Sequence, residues 1–139
     1  MAARVFDYQH RVTYGDCTVG NHVYHANYFT MLEAARGEFV RSLGATLLEL
    51  QDQDVIFPVI ECSMRYRFPA RYDDLLTIAI QVTELKGARL SFGHIIANQH
   101  GRIIVEAQTR HACTTRADKP RRIPQAILEK LGAFLSDHP

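Results

Sequence analysis

At 139 residues, with 47% hydrophobic and 22% charged side chains, the chain is sized for one domain with a real core, spanning 1–139. Its 16 basic and 15 acidic side chains leave a net charge of +1, which argues against a nucleic-acid binder or an anionic-membrane binder driven by global charge. No apolar run is long enough to cross a bilayer, the N-terminus carries no hydrophobic signal core, and three dispersed cysteines suit neither a disulfide frame nor a zinc knuckle, so a cytoplasmic protein without membrane insertion is expected.

Val5 to Tyr14 mixes apolar and polar residues and reads as a first strand. Gly15 to His25, rich in Gly, Asn, Asp and His without helical period, reads as a loop. A helix is predicted from Asn27 to Leu43, with Gly44 as its stop. At 3.6 residues per turn Tyr28, Leu32, Phe39 and Leu43 share one face. Arg36 falls inside that apolar arc and Glu33 at its edge, where a charge costs free energy unless it is paired or used. After residue 54 the period becomes two. Ile60 to Phe68 alternates, Pro69 to Asp74 turns the chain, and Leu76 to Thr83 alternates again. Lys86-Gly87-Ala88 makes a turn, Leu90 to Ile96 forms the next strand, Gln99 to Arg102 makes a hairpin turn, and Ile103 to Thr115 forms the last strand. Pro124 suits the first turn of a short C-terminal helix with Ile127, Leu128, Leu131 and Phe134 facing inward. Short connections between consecutive strands require an antiparallel sheet. The expected class is therefore α+β: about five antiparallel strands wrapped around one long central helix, followed by a short C-terminal helix.

The stretch Tyr14 to Tyr28, reading Tyr-Gly-Asp-Cys-Thr-Val-Gly-Asn-His-Val-Tyr-His-Ala-Asn-Tyr, resembles the 4-hydroxybenzoyl-CoA thioesterase family and the short-chain acyl-CoA thioesterases found with the Tol-Pal system. Leu32-Glu33-Ala34-Ala35-Arg36, the segment Tyr66 to Leu75, and Arg121-Arg122-Ile123-Pro124 extend the resemblance in the right order over nearly the whole chain. The resemblance implies a hotdog fold, a homodimer or homotetramer, and hydrolysis of acyl-CoA thioesters without metal or cofactor. One departure stands out. The family's motif carries two aspartates two residues apart, and the second is generally credited with catalysis. Asp16 matches the first, but Thr18 stands at the second. Enediyne-associated thioesterases lack this carboxylate too and are thought to use an oriented water and a helix arginine, which Arg36 matches.

Thioester hydrolysis needs a polarised carbonyl and a route for water to its carbon. The free N–H groups of a helix N-terminus serve the first need, and the backbone N–H of His25 matches the family's oxyanion donor. For the second need Thr18 can position a water. Glu33 matches the acidic helix position of the other large branch of hotdog thioesterases, and Asp16 is a further candidate. The imidazoles of His22 and His25 could shuttle protons. Catalytic roles therefore centre on Asp16, Thr18, His25 and Glu33, and substrate binding on His22, Tyr24, Arg36, Arg89 and Ser91. Each has a structural alternative: Asp16 capping a turn, Glu33 and Arg36 forming an i, i+3 ion pair, and the histidines pinning the loop. Arg89, Arg116, Lys119, Arg121 and Arg122 are candidates for coenzyme A phosphates, and Tyr24, Phe57, Tyr66 and Phe68 for an acyl pocket. Three functions remain open: an acyl-CoA thioesterase, a thioesterase acting on carrier-protein-bound acyl groups, and a non-catalytic acyl-thioester binder. The edge of a single sheet invites pairing with a second copy, giving an active site built from two chains.

Overall fold

A computed structural model describes residues 3–136. Strand β1 (Phe6–Arg11) leads into a short 3-10 turn at Tyr14–Asp16 and a small ribbon of β2 (Cys17–Thr18) and β3 (His22–Val23). Helix α1 (Asn27–Ser42) and the short α2 (Leu47–Asp52) follow, then β4 (Val59–Tyr66), β5 (Leu75–Lys86), β6 (Arg89–Ala97), β7 (Ile103–Ala112) and α3 (Gln125–Gly132). The main sheet is antiparallel, in the order β1-β5-β6-β7-β4, so β1 and β4 form its two edges.

The helix ends where the sequence predicts. Gly44 takes φ +99°, a left-handed conformation suited to glycine, and its N–H donates to the Arg41 carbonyl. The predicted α1 face is also observed, since Tyr28, Leu32 and Phe39 are buried together with Met31 and Ala35. They pack on the inner face of β5, where Leu76, Ile78, Ile80 and Val82 are fully buried in strict alternation. Leu131 and Phe134 close the core from the C-terminal end, and Ile127 and Leu128 pack against it half-buried.

Two elements depart from the sequence reading. The segment 15–25 is not a plain loop. Cys17 pairs with Val23 and Thr18 with His22, and the chain reverses between them through Gly20 at φ 81° and Asn21 at φ 60°. Two-residue strands are too short for periodicity to reveal. Helix α2 was not anticipated either, because six residues give too little pattern. Its start is fixed by the Thr46 hydroxyl, which accepts the Glu49 N–H at 3.1 Å.

Strand β4 has the alternation of a buried strand but not the burial. Its residues are exposed except the half-buried Met64, and Ile60 reaches 59%. Cys62 is exposed, whereas Cys113 is buried.

Candidate active site

The entry to α1 is built by hydrogen bonds that the loop composition supplies. The Asp16 carboxylate accepts the Thr13 N–H at 2.8 Å and contacts His10 Nε2 at 2.8 Å. The Asp16 carbonyl accepts the Tyr24 N–H at 2.9 Å and the Asn27 side-chain amide at 2.9 Å. The Val23 N–H donates to the Ala70 carbonyl, and the Tyr28 hydroxyl accepts the Ala70 N–H at 3.2 Å. The loop, the helix start and the turn after Pro69 are thus locked together. Burial alone would raise the Asp16 carboxyl pKa, but the Thr13 and His10 contacts outweigh it and hold the group below its ordinary range.

Helix α1 starts without a side-chain cap, at Ala26. The Asn27 N–H donates to the Tyr24 carbonyl, whereas the N–H groups of His25 and Ala26 make no hydrogen bond among the described residues. Such free amides carry the positive end of the helix dipole. Beside them lies a cavity of about 270 Å³ lined by His22, Val23, His25, Tyr28, Tyr66 and Phe68. The Tyr66 hydroxyl donates to the His25 carbonyl at 3.2 Å, and the Tyr24 ring packs on the His25 ring at 4.5 Å between centroids.

A second, larger cavity of about 410 Å³ opens further along α1. Glu33, Arg36, Phe57, Val59, Phe92 and His111 are among its lining residues. Strand β4 reaches both, with Val59 at the large cavity and Tyr66 at the small one. Glu33 is exposed and Arg36 half-buried. They do not form the i, i+3 salt bridge that their spacing allows. Burial lowers the Arg36 pKa, opposed by the negative charge of Glu33.

The predicted residues therefore separate into groups. His22 and His25 meet at the small cavity, and Glu33 and Arg36 at the large one. Eight positions apart, His25 and Glu33 are about 12 Å from each other along the helix axis of one chain. Asp16, Thr18 and Tyr24 line neither cavity, and the Asp16 carboxylate serves as a turn cap. Ser91 is buried, and its hydroxyl donates to Glu84 at 3.1 Å. Arg89 is exposed at the start of β6, and both residues lie outside the cavities. Of the acyl-pocket aromatics, Phe57 lines the large cavity and Tyr66 and Phe68 the small one. Arg116 and Arg121 are engaged in tying their loop to Asp54.

Sequence reasoning missed two residues near the large cavity. His111 uses both ring nitrogens, one against the Phe57 carbonyl at 2.9 Å and one against the Thr109 hydroxyl at 3.0 Å. His94 is 1% exposed, and neither of its nitrogens has a partner. Burial, then Arg36 and His111, pushes its pKa down to about 3, so it stays neutral. In the sequence, His94 alternates in step with Leu90, Phe92 and Ile96, which puts it on an apolar strand face, and that is the available signal. Among the described residues no group of three or more His, Cys, Asp or Glu side chains is placed to hold a metal ion, and no helix is long and apolar enough to cross a membrane.

Residues 12–131 match the family model of the thioesterase-like superfamily. The chain belongs to that family. It is 33% identical over 129 residues to the acyl-CoA thioester hydrolase YbgC of Escherichia coli, covering 92% of this chain and 96% of the relative. It is 32% identical over 124 residues to the acyl-CoA thioesterase YbgC of Haemophilus influenzae, covering 88% and 90%. A solved 1,4-dihydroxy-2-naphthoyl-CoA thioesterase from Synechocystis superposes with a TM-score of 0.87, covering 98% of this chain and 100% of that one, at 22% identity. That likeness carries the fold alone, and the fold of this family member is the hotdog fold.

Proposed function

We propose that this member of the thioesterase-like superfamily hydrolyses acyl-CoA thioesters, as its YbgC relatives are named for doing. The observation that carries the reading is the junction at residues 22–26, where an uncapped helix start with free His25 and Ala26 amides adjoins a cavity. Water adds to the thioester carbon, and the carbonyl oxygen gains negative charge, which donors at a helix N-terminus favour. The carbon–sulfur bond then breaks, the thiolate takes a proton, and free acid and CoA thiol leave. The acyl chain runs along α1 and the inner face of β4 toward the larger cavity.

The base is a second matter. Within one chain Glu33 lies too far along α1 to reach a carbonyl held at His25. We assign it to act across a homodimer formed by two β4 edges, whose exposed apolar residues support such a pairing. Thr18, with an exposed hydroxyl, is the residue left to orient a water, and Asp16 is assigned to loop architecture. Of the residues expected to bind substrate, His22 stays with the thioester, Arg36 with the acyl chain, and Tyr24, Arg89 and Ser91 take no assigned contact. A cytoplasmic setting fits a CoA ester substrate.

Thiol release from a panel of aliphatic and aromatic acyl-CoAs tests the reading. Turnover is expected, lost in Glu33→Gln and retained in Asp16→Asn. Tight ester binding with no thiol release from any ester would instead make the protein an acyl-thioester binder.

A further inference from the structure

We infer that Arg36 selects the substrate by its far end, pairing inside the larger cavity with a carboxylate carried at the terminus of the acyl chain. This rests on the thioesterase reading and extends it to substrate class. Arg36 is half-buried on the lining of the larger cavity, which it shares with the apolar Val40, Phe57, Leu90 and Phe92 and with the polar Glu33 and His111. Among the described residues it has no hydrogen bond and no ion pair, although Glu33 stands one turn away. A desolvated cation without a partner is costly, and a ligand that supplies the missing acceptor recovers that cost.

The other cationic and imidazole groups on the lining are engaged elsewhere. Both ring nitrogens of His111 are engaged, and Lys130 donates its ammonium to the Leu43 carbonyl at 2.8 Å. His94 is sealed in the core. The two carboxylates on the lining, Glu33 and Glu49, are exposed, so solvent and salt screen their repulsion of an incoming anion. A guanidinium binds a carboxylate through two parallel hydrogen bonds, a geometry that an aliphatic or aromatic chain end cannot satisfy. Arg36 follows His25 by 11 positions, about 16 Å along the helix axis, and helical side chains lean back toward the N-terminus. A carbonyl at His25 and a carboxylate at Arg36 therefore fit the two ends of one medium-length acyl group.

The test compares suberyl-CoA with octanoyl-CoA, which have the same number of carbons and differ in a terminal carboxylate. The wild type should favour suberyl-CoA by at least about tenfold in kcat/KM. Arg36→Met should cut that ratio by at least about tenfold, and Arg36→Lys should keep part of it. No wild-type preference, or a ratio indifferent to Arg36→Met, overturns the inference without touching the hydrolase reading. If neither ester releases thiol, the wider panel of esters decides the hydrolase reading and calorimetric titration of these two esters decides Arg36. Tighter suberyl-CoA binding that is lost in Arg36→Met upholds the inference, and equal binding overturns it.

Discussion

Replacing His94 by leucine should remove most of the acid sensitivity of this fold between pH 7.5 and pH 5. In the native chain the imidazole is 1% exposed, without a partner at either nitrogen, and its pKa lies near 3 against an ordinary 6.5. Between those two values the unfolded chain binds a proton that the native chain does not. Stability present above pH 6.5 is therefore lost as the pH falls. At about 1.4 kcal/mol per pH unit, the descent from 6.5 to 5 costs about 2 kcal/mol, and the full window to pH 3 about 5 kcal/mol. Asp16, whose pKa is held below its ordinary value of 3.8, loses its contribution only in more acid solution, so pH 5 isolates the histidine effect. His111 is lowered in the same direction, chiefly by burial, and its share persists in the variant. Leucine also removes unsatisfied ring nitrogens, which favours the variant by on the order of 1 kcal/mol at neutral pH. Urea unfolding of both proteins at pH 7.5 and pH 5 measures the difference. If His94→Leu loses as much stability as the wild type on acidification, the buried neutral imidazole is not the cause and the reasoning fails.

Phe39→Ala should cost about 3–5 kcal/mol, because a fully buried ring that packs 4.8 Å from Phe134 and 5.9 Å from Phe92 leaves a cavity at the junction of α1, the sheet and the C-terminus. Thermal or urea denaturation checks it. Cys62→Lys adds a charge to the inner face of the β4 edge where the isolated chain is already exposed. Monomer stability should change by only about 0.5 kcal/mol, while sedimentation shifts from dimer to monomer.

The long elements were legible because their periods are long. Sixteen residues of α1 and twelve of β5 repeat their apolar pattern often enough to fix both type and face, and Gly44 marked the helix end by the one conformation it tolerates best. The ribbon of β2 and β3 and the six residues of α2 lack that repetition. Their geometry comes from contacts distant in sequence, such as the Tyr72 N–H on the Asn21 side chain. Motif matching picked out His22, His25, Glu33 and Arg36, but it could not say that these divide between two cavities. That division follows from helical rise, which places residues eight or eleven apart a half-domain's width from each other.

The pattern of β4 carries a further consequence. A strand of Ile60, Cys62, Met64 and Tyr66 alternating with Glu61, Ser63 and Arg65 has the composition of a half-buried strand, yet in the single chain it borders open grooves. Composition answers to everything that covers a residue, including what lies outside its own chain. The mismatch is what the proposed second copy would resolve, and it would do so where the separated site residues also need resolving. Pairing two β4 edges antiparallel covers the exposed strand and lays two α1 helices side by side in opposite directions. The Glu33 of each copy then moves toward the His25 of the other. The monomer's exposed strand and its divided site are, on this argument, one deficiency with one remedy. A dimer that leaves β4 uncovered would break the connection between them.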